Sequence, residues 1–258
     1  MKADRGLRIG RMVELGGVSH AGFYRFDPDR RPPPENDMGL RDAIQRIALE
    51  WPQYGRPKIT AELRRRGWKV NPKRVYRLMR EDNLLCVRKR KFVVTTDSHH
   101  TRQVYPNLAR AMVVSDIDQL WVADITYIRL QSEFVYLAVV IDAYSRRVIG
   151  WALDRTVEDD LPLAALRSAL ELRRPSPGWV HHSDRGSQYA ACESWIKTLK
   201  AEEVYRQEYR DLAEARASIA QFIDKVYNRK RLHSALGYRP PVEFEQVLAA
   251  SGRLEARA

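Results

Sequence analysis

Three carboxylates in this sequence stand where they could do chemistry: Asp124, Asp184 and Glu193. Asp124 lies inside residues 121–128, an otherwise apolar, strand-rich stretch. A carboxylate buried there is costly unless it is paired, hydrogen-bonded or bound to a cation. Asp184 directly follows a second strand-like stretch and sits in His181-His182-Ser183-Asp184-Arg185-Gly186-Ser187-Gln188-Tyr189. Glu193 lies at the start of a helix, with Lys197 and Lys200 four and seven residues on, along the same side. Carboxylates at strand ends, joined by one on a helix, can converge on two divalent cations ~3.5–4 Å apart. Such a pair activates an attacking oxygen and stabilises the leaving oxygen of a phosphodiester. Oxygen ligands alone favour Mg²⁺ or Mn²⁺ over Zn²⁺. Plainer roles stand beside this one. Asp124 could be a satisfied strand aspartate, and Asp184 a turn former before Gly186. Glu193 could be a first-turn acid paired with Lys197. Asp142 reads as a turn residue binding local backbone. His181 and His182 are adjacent on a strand and point to opposite faces, so at most one reaches a given ion.

The elements that must position these groups can be read from periodicity. A short unit over residues 1–30 opens with a helix over 7–15, a break at Gly16-Gly17, and a second helix from a Ser19 cap to Phe26. Residues 27–37 hold four prolines and read as a linker. Three helices follow in a region spanning 38–95. Leu40, Ile44, Ile47, Ala48 and Trp51 share one face of the first. The second begins near Pro57, stops at Gly67 and turns Ile59 and Leu63 inward. The third is capped by Asn71, with Pro72 at its first position. Its Val75, Leu78 and Met79 share one face, and Lys73, Arg77 and Arg80 the other, which suits a major-groove recognition helix. The same pattern suits a surface helix with solvated cations. Arg74 belongs to the same basic set, and Arg88, Lys89, Arg90 and Lys91 just after it favour the DNA reading.

From Leu120 the pattern turns to strands, at 121–128, 134–141 and 147–152, joined shortly enough for a meander. The continuously apolar second strand fits a central position buried on both faces. A helix capped near Thr156 then buries Leu163, Leu166 and Leu170. A fourth short strand covers 179–182. Helices follow over 191–205 and 211–227, the latter opened by Asp211 and Glu214 as a capping-box-like pair.

The 258 residues carry a formal net charge of +12, distributed as +13 over residues 1–110 and −1 over the rest. A basic front half suits a polyanionic partner. The longest apolar run, 134–141, is far short of the ~18 residues of a membrane span, so no membrane association is expected. No apolar leader follows Met1. Two cysteines make neither a disulfide framework nor a cysteine-rich zinc site, which suits a reducing cytoplasm.

Four blocks in order carry a family resemblance. Residues 121–128, 181–189 and 192–200 resemble the three acidic signatures of bacterial insertion-sequence transposases of the second-reading-frame type, which have a retroviral-integrase-like core. Residues 227–238, followed by Pro240-Pro241, resemble that family's C-terminal motif. Tyr54-Gly55 and the run 59–63 resemble its helix-turn-helix segment. The resemblance implies an α/β RNase-H-like core over 110–250, a mixed sheet flanked by helices, preceded by an all-α helix-turn-helix region. It implies aspartate-aspartate-glutamate roles for Asp124, Asp184 and Glu193 around two Mg²⁺ or Mn²⁺ ions. It also implies DNA contacts for Lys197 and Lys200, with element ends and target DNA as substrates. A homo-oligomer on DNA, a first-reading-frame partner protein and a place at the bacterial nucleoid are further expectations. One departure stands out. Only eight residues separate Asp184 from Glu193, where the family has a longer segment carrying a helix and the last strand of the sheet. The core is therefore expected to be shortened between 189 and 192. The fourth strand should become an edge, and activity should be reduced or lost. The alternative is an inactive remnant that binds element ends.

Overall fold

The structure, a computed structural model, describes residues 9–17, 19, 37–85, 109, 112–183 and 190–252. The expected helix over 20–26, the proline linker over 27–36, Arg88, Lys89, Arg90, Lys91 and Asp184 lie outside the described residues. Two compact units divide the chain between Asp42 and Ala43. In the first, α1 (Ile9–Gly16) ends at Gly17, whose φ of +59° a residue with a Cβ would resist. Helix α2 (Met38–Glu50) begins there and runs on into the second unit.

The second unit opens on the rest of α2, then α3 (Arg56–Arg65) and α4 (Pro72–Glu81). Pro57 falls in the first turn of α3, where its missing N–H costs nothing. The Asn71 side chain accepts from Lys73 N–H at 2.8 Å and caps α4 as expected. Gly67, at φ +87°, turns the chain between the two helices. Ile59, Leu63, Val75, Leu78 and Met79 are fully buried, which leaves Lys73, Arg77 and Arg80 exposed on the far side of α4.

The core that follows is a four-stranded sheet in the order β3-β2-β1-β4. Its strands are β1 (Leu120–Arg129), β2 (Phe134–Asp142), β3 (Val148–Asp154) and β4 (Val180–Ser183). The first three form the expected antiparallel meander, and β4 adds parallel to β1. Strand β2 is buried from Leu137 to Asp142. Asp142 has no exposed surface; its carboxylate accepts from the N–H groups of Asp118 (2.7 Å), Tyr144 (3.0 Å) and Ser145 (2.7 Å). It is the turn residue that the sequence suggests.

Each sheet face carries helices. Helix α5 (Asp160–Arg173) covers one face, packing on Trp121, Ala138, Val140 and Ile149. The other face packs on α6 (Ala190–Glu202), a 3₁₀ turn (Val204–Arg206), α7 (Leu212–Gln221) and a π-wound turn (Phe222–Tyr227). A short 3₁₀ turn (Ser234–Leu236) precedes α8 (Pro241–Ala250). The Asp211 side chain accepts from Glu214 N–H at 2.8 Å, while Glu214 accepts from Arg210 N–H. In α8, the buried Glu245 pairs with Arg173 and, at 2.6 Å, with Arg147, so the C-terminal helix is tied to α5 and to β3's start.

Two expectations are corrected. Helix α5 starts at Asp160, not after Thr156. A cap at Thr156 would put Pro162 deep in the helix, where its missing N–H breaks a bond; the observed start keeps it in the first turn. Its buried residues are Leu161, Ala165 and Ala169; the expected Leu166 and Leu170 are half-buried and pack against the same cluster, and of the three leucines only Leu163 is turned out to solvent. Gly150 of β3 explains the rotation. A Cβ there would meet the Ala165 carbonyl oxygen at 2.3 Å and the Ala169 Cβ at 2.7 Å. Opposite Gly150 the helix approaches the sheet too closely for a larger side chain, so Ala165 and Ala169 stand there. The stretch 211–227 is also not uniformly α-helical: its last turn is π-wound, which buries Phe222, Ile223 and Tyr227 together. Gly150→Ala is expected to destabilise the core by about 1–3 kcal/mol, because backbone cannot yield as a side-chain tip can. Urea unfolding should show the loss as a lower midpoint at unchanged slope.

Candidate active site

Asp124 stands on β1, among even-numbered residues that face α6: Leu120, Val122 and Ile128 of that set are core residues. Its own side chain is half-buried and accepts from Ile125 N–H at 2.8 Å. Helix α6 seats against β1 through Cys192, Trp195 and Leu199, all buried and spaced for one helical face. The Cys192 thiol donates to the Val122 carbonyl at 3.2 Å. That contact fixes the helix start two residues from Asp124 along the strand.

Glu193, next to Cys192, is thereby brought within electrostatic reach of Asp124. Burial first, and the Glu193 charge with it, pushes the Asp124 carboxyl above its ordinary value; the Ile125 N–H and Lys200 oppose the rise. Glu193 itself is exposed, with Lys197 Nζ 2.6 Å from its Oε1. The pairing that offered a plainer role for this residue therefore exists alongside its approach to Asp124. Lys200 lies over the Tyr127 ring, 4.4 Å from the centroid, and is also within reach of the Asp124 charge. Tyr127 went unnoticed in the sequence. It lies three residues beyond Asp124, on β1 past the last residue paired with β4, and alternation alone assigns it to the opposite face.

Strand β4 runs in register with β1, from Leu120 opposite Val180 to Ala123 opposite Ser183. Ser183 is the last described residue before Asp184, and it pairs beside the residue that precedes Asp124. His181 and Ser183 are exposed and His182 is half-buried, so the two histidines alternate as expected. Among the described residues no group of three or more metal-capable side chains gathers.

The pair that is described suits a hard divalent cation. It offers oxygen donors, one of them partly desolvated, with the Glu193 charge felt at Asp124. Of the basic residues expected to meet DNA, Lys73, Arg77 and Arg80 are exposed on α4, Arg77 lying 3.8 Å from Glu81. Arg74 is half-buried. Lys197 is exposed and Lys200 half-buried on α6.

A meander with a parallel fourth strand, helices on both faces and a carboxylate on the first strand define an integrase-like, RNase-H-like core. The comparisons agree. Residues 116–210 match the integrase core domain family, residues 181–241 a second integrase core family, and residues 35–92 the HTH-like domain family. The chain is 32% identical over 266 residues to the insertion element IS600 uncharacterized 31 kDa protein of Shigella sonnei, covering 91% of this chain and 97% of that one. It is 34% identical over 261 residues to the transposase for insertion sequence element IS629 of Shigella sonnei, covering 90% and 88%. It is 33% identical over 221 residues to transposase InsF for insertion sequence IS3A of Escherichia coli, covering 75% and 77%. The chain belongs to the insertion-sequence transposase family, with a helix-turn-helix-like region before an integrase core. The aligned span with the IS600 protein exceeds the length of this whole chain, so some of that relative's positions have no counterpart here.

Asp124 carries a stability cost whose sign can be stated. Its folded-state carboxyl lies above the ordinary value of 3.8. The folded state therefore binds its proton more tightly, and stability from this group falls as pH rises from about 3.8 through the raised value. In metal-free buffer at pH 7, Asp124→Asn is expected to raise the melting temperature. Mn²⁺ should raise it for the native chain and leave it unchanged for the variant.

Proposed function

We propose that this chain catalyses DNA transposition: it cuts at the ends of an insertion sequence and joins the freed 3′-hydroxyl to a target phosphodiester. The observation that carries the reading is the seating of α6 on β1 through Cys192 and Val122, which sets Glu193 next to the strand that bears Asp124, in a chain of this family. Asp124, Asp184 and Glu193 would hold two Mg²⁺ or Mn²⁺ ions; the end of β4 beside Ala123 supports Asp184 as the second ligand. When bound, such ions activate the attacking oxygen and stabilise the leaving one. The chain's own part is positional. β1 holds Asp124 partly dry and aimed at α6. Lys200, backed by Tyr127, and Lys197 offset phosphate charge beside the carboxylates. Lys73, Arg74, Arg77 and Arg80, with Arg88, Lys89, Arg90 and Lys91, would contact phosphates or bases of the element ends. The reading extends to a homo-oligomer on paired ends, a possible first-reading-frame partner, and action at the bacterial nucleoid. Among the described residues no helix is long and apolar enough to cross a membrane.

The eight-residue link sets the expected rate. β4 is the outermost strand of the described sheet, with nothing beyond it to brace the link. Metal carboxylates tolerate only ~0.5 Å of looseness. Strand transfer is therefore expected to be slow, and faster in a chain whose missing segment is restored. A second reading, a remnant that binds ends without cutting, is favoured by one observation: Lys197 already occupies one Glu193 oxygen and competes with a metal there.

Cleavage and strand transfer of end-sequence oligonucleotides with Mg²⁺ or Mn²⁺ separate these readings. Asp124→Asn is expected to abolish cutting and leave end binding intact. No cutting by the native chain, with binding retained, would establish the remnant; equal cutting of unrelated sequences would indicate a general nuclease. End affinity should fall steeply with salt, and Lys73→Ala should shallow that slope by about one counterion. A salt-insensitive affinity would remove the DNA role of the front half.

A further inference from the structure

The C-terminal motif at 227–238 has no task in the site described above, yet it touches every part that must act together. Arg231 donates from Nε and Nη2 to Glu202, at 2.9 and 2.8 Å, a bidentate pair whose side chains are 10% and 8% exposed. Glu202 is the last residue of α6. Near the other end of α6, the Trp195 ring meets the Tyr227 ring edge-on, with centroids 6.1 Å apart. Tyr227 in turn carries the Arg231 guanidinium over its face and His233 at its edge. The Asn228 side chain bonds both the N–H and the carbonyl of Val148, at 3.1 and 3.0 Å, which anchors the motif to β3. Finally, Leu232 N–H donates to the hydroxyl of Tyr54 at 2.7 Å. Tyr54 is 2% exposed, stacks on Trp51 and sits just before α3 of the helix-turn-helix region.

We infer that this motif is the clamp that seats α6 and joins it to the helix-turn-helix region, with Arg231 and Tyr54 as positioning residues for Glu193. The inference rests on the reading of Glu193 as a metal ligand. Its physical basis is geometric. A guanidinium fork fixes its carboxylate in distance and plane, as one ammonium contact does not. A helix held at Trp195 and at Glu202 resists tilting, so Glu193, one residue from the seated Cys192, keeps its place beside the strand that bears Asp124. Tyr54 offers the only described acceptor to a buried backbone N–H, so the front region and the clamp must move together. A recognition helix engaged on an element end is thus connected through Tyr54, Leu232 and Arg231 to the helix that bears the catalytic glutamate.

Hydrogen exchange read by mass spectrometry on the full chain tests the clamp, and Mn²⁺ binding read by electron paramagnetic resonance tests its consequence. Two mild variants, Tyr54→Phe and Arg231→Lys, keep ring and charge; Arg231→Gln is the severe case. In the mild variants, exchange across residues 190–202 should rise about tenfold while α5, on the other sheet face, stays unchanged. Mn²⁺ affinity should fall several-fold, and end-DNA binding should stay at the native level. Unchanged exchange in α6 for both variants would overturn the clamp, as would a rise shared equally by α5. Asp124→Asn separates the two readings: if it leaves Mn²⁺ binding intact, the metal reading fails, while exchange in α6 still decides the clamp.

Discussion

A charged oxygen held half out of water on a central strand is the constraint around which this molecule is arranged. Asp124 cannot be relieved by burial, since burial raises the cost of its charge, and Glu193 adds to that cost. The surrounding structure must hold it there against the gradient. Leu120, Val122 and Ile128 anchor the same face of β1, and Cys192, Trp195 and Leu199 lay α6 over it. The arrangement is unfavourable for the charged carboxylate and is tolerated because the packing around it is firm. Sites that do chemistry commonly stand at such a local loss.

Other buried carboxylates of the core are met by closer donors. Asp142, fully buried one strand away, illustrates the contrast: three backbone N–H groups surround it, and it closes the β2–β3 turn. Glu245 is likewise buried, but two arginines meet it and hold its carboxyl below the ordinary range despite burial. Three carboxylates removed to different degrees from solvent thus have three different fates, decided by donors within reach. Only Asp124 is left short of them.

Much of this was legible in the sequence. The meander followed from alternating and continuous apolar runs, the α4 cap from Asn71-Pro72, and the turn role of Asp142 from its place at a strand end. Helix α6 was legible as an element, whereas its buried face of Cys192, Trp195 and Leu199 is seen only in the structure. Periodicity placed Leu166 and Leu170 against the core but could not show that Ala165 and Ala169 lie deepest and that Leu163 faces out, because leucines outrank alanines on any hydropathy count; the close approach at Gly150 reverses that order. Nor could it show where α5 begins, since Thr156 is a good cap in isolation and Pro162 decides otherwise. At the site, Asp124 and Glu193 were legible by type, but Lys200 on Tyr127 was not, because β1 outruns β4 and lets a side chain reach past the rule of alternation. The bonds from Arg231 to Glu202 and from Tyr54 to Leu232 span 29 and 178 residues, a range at which no local pattern operates.

The contact between Gly150 and the Ala165–Ala169 turn has a consequence for how such a chain can change over time. The spacing between helix and sheet there is set by main-chain atoms and the Ala169 methyl group, not by interdigitating large side chains. Leu163 and its outward neighbours therefore contribute little to where the helix lies, and mutational drift on that surface leaves the layer undisturbed. The inner positions have the opposite character: any enlargement is felt by the backbone at once. Lineages of this protein should be variable on the outside of α5 and frozen along a narrow inner line, a record of geometry and not of catalysis.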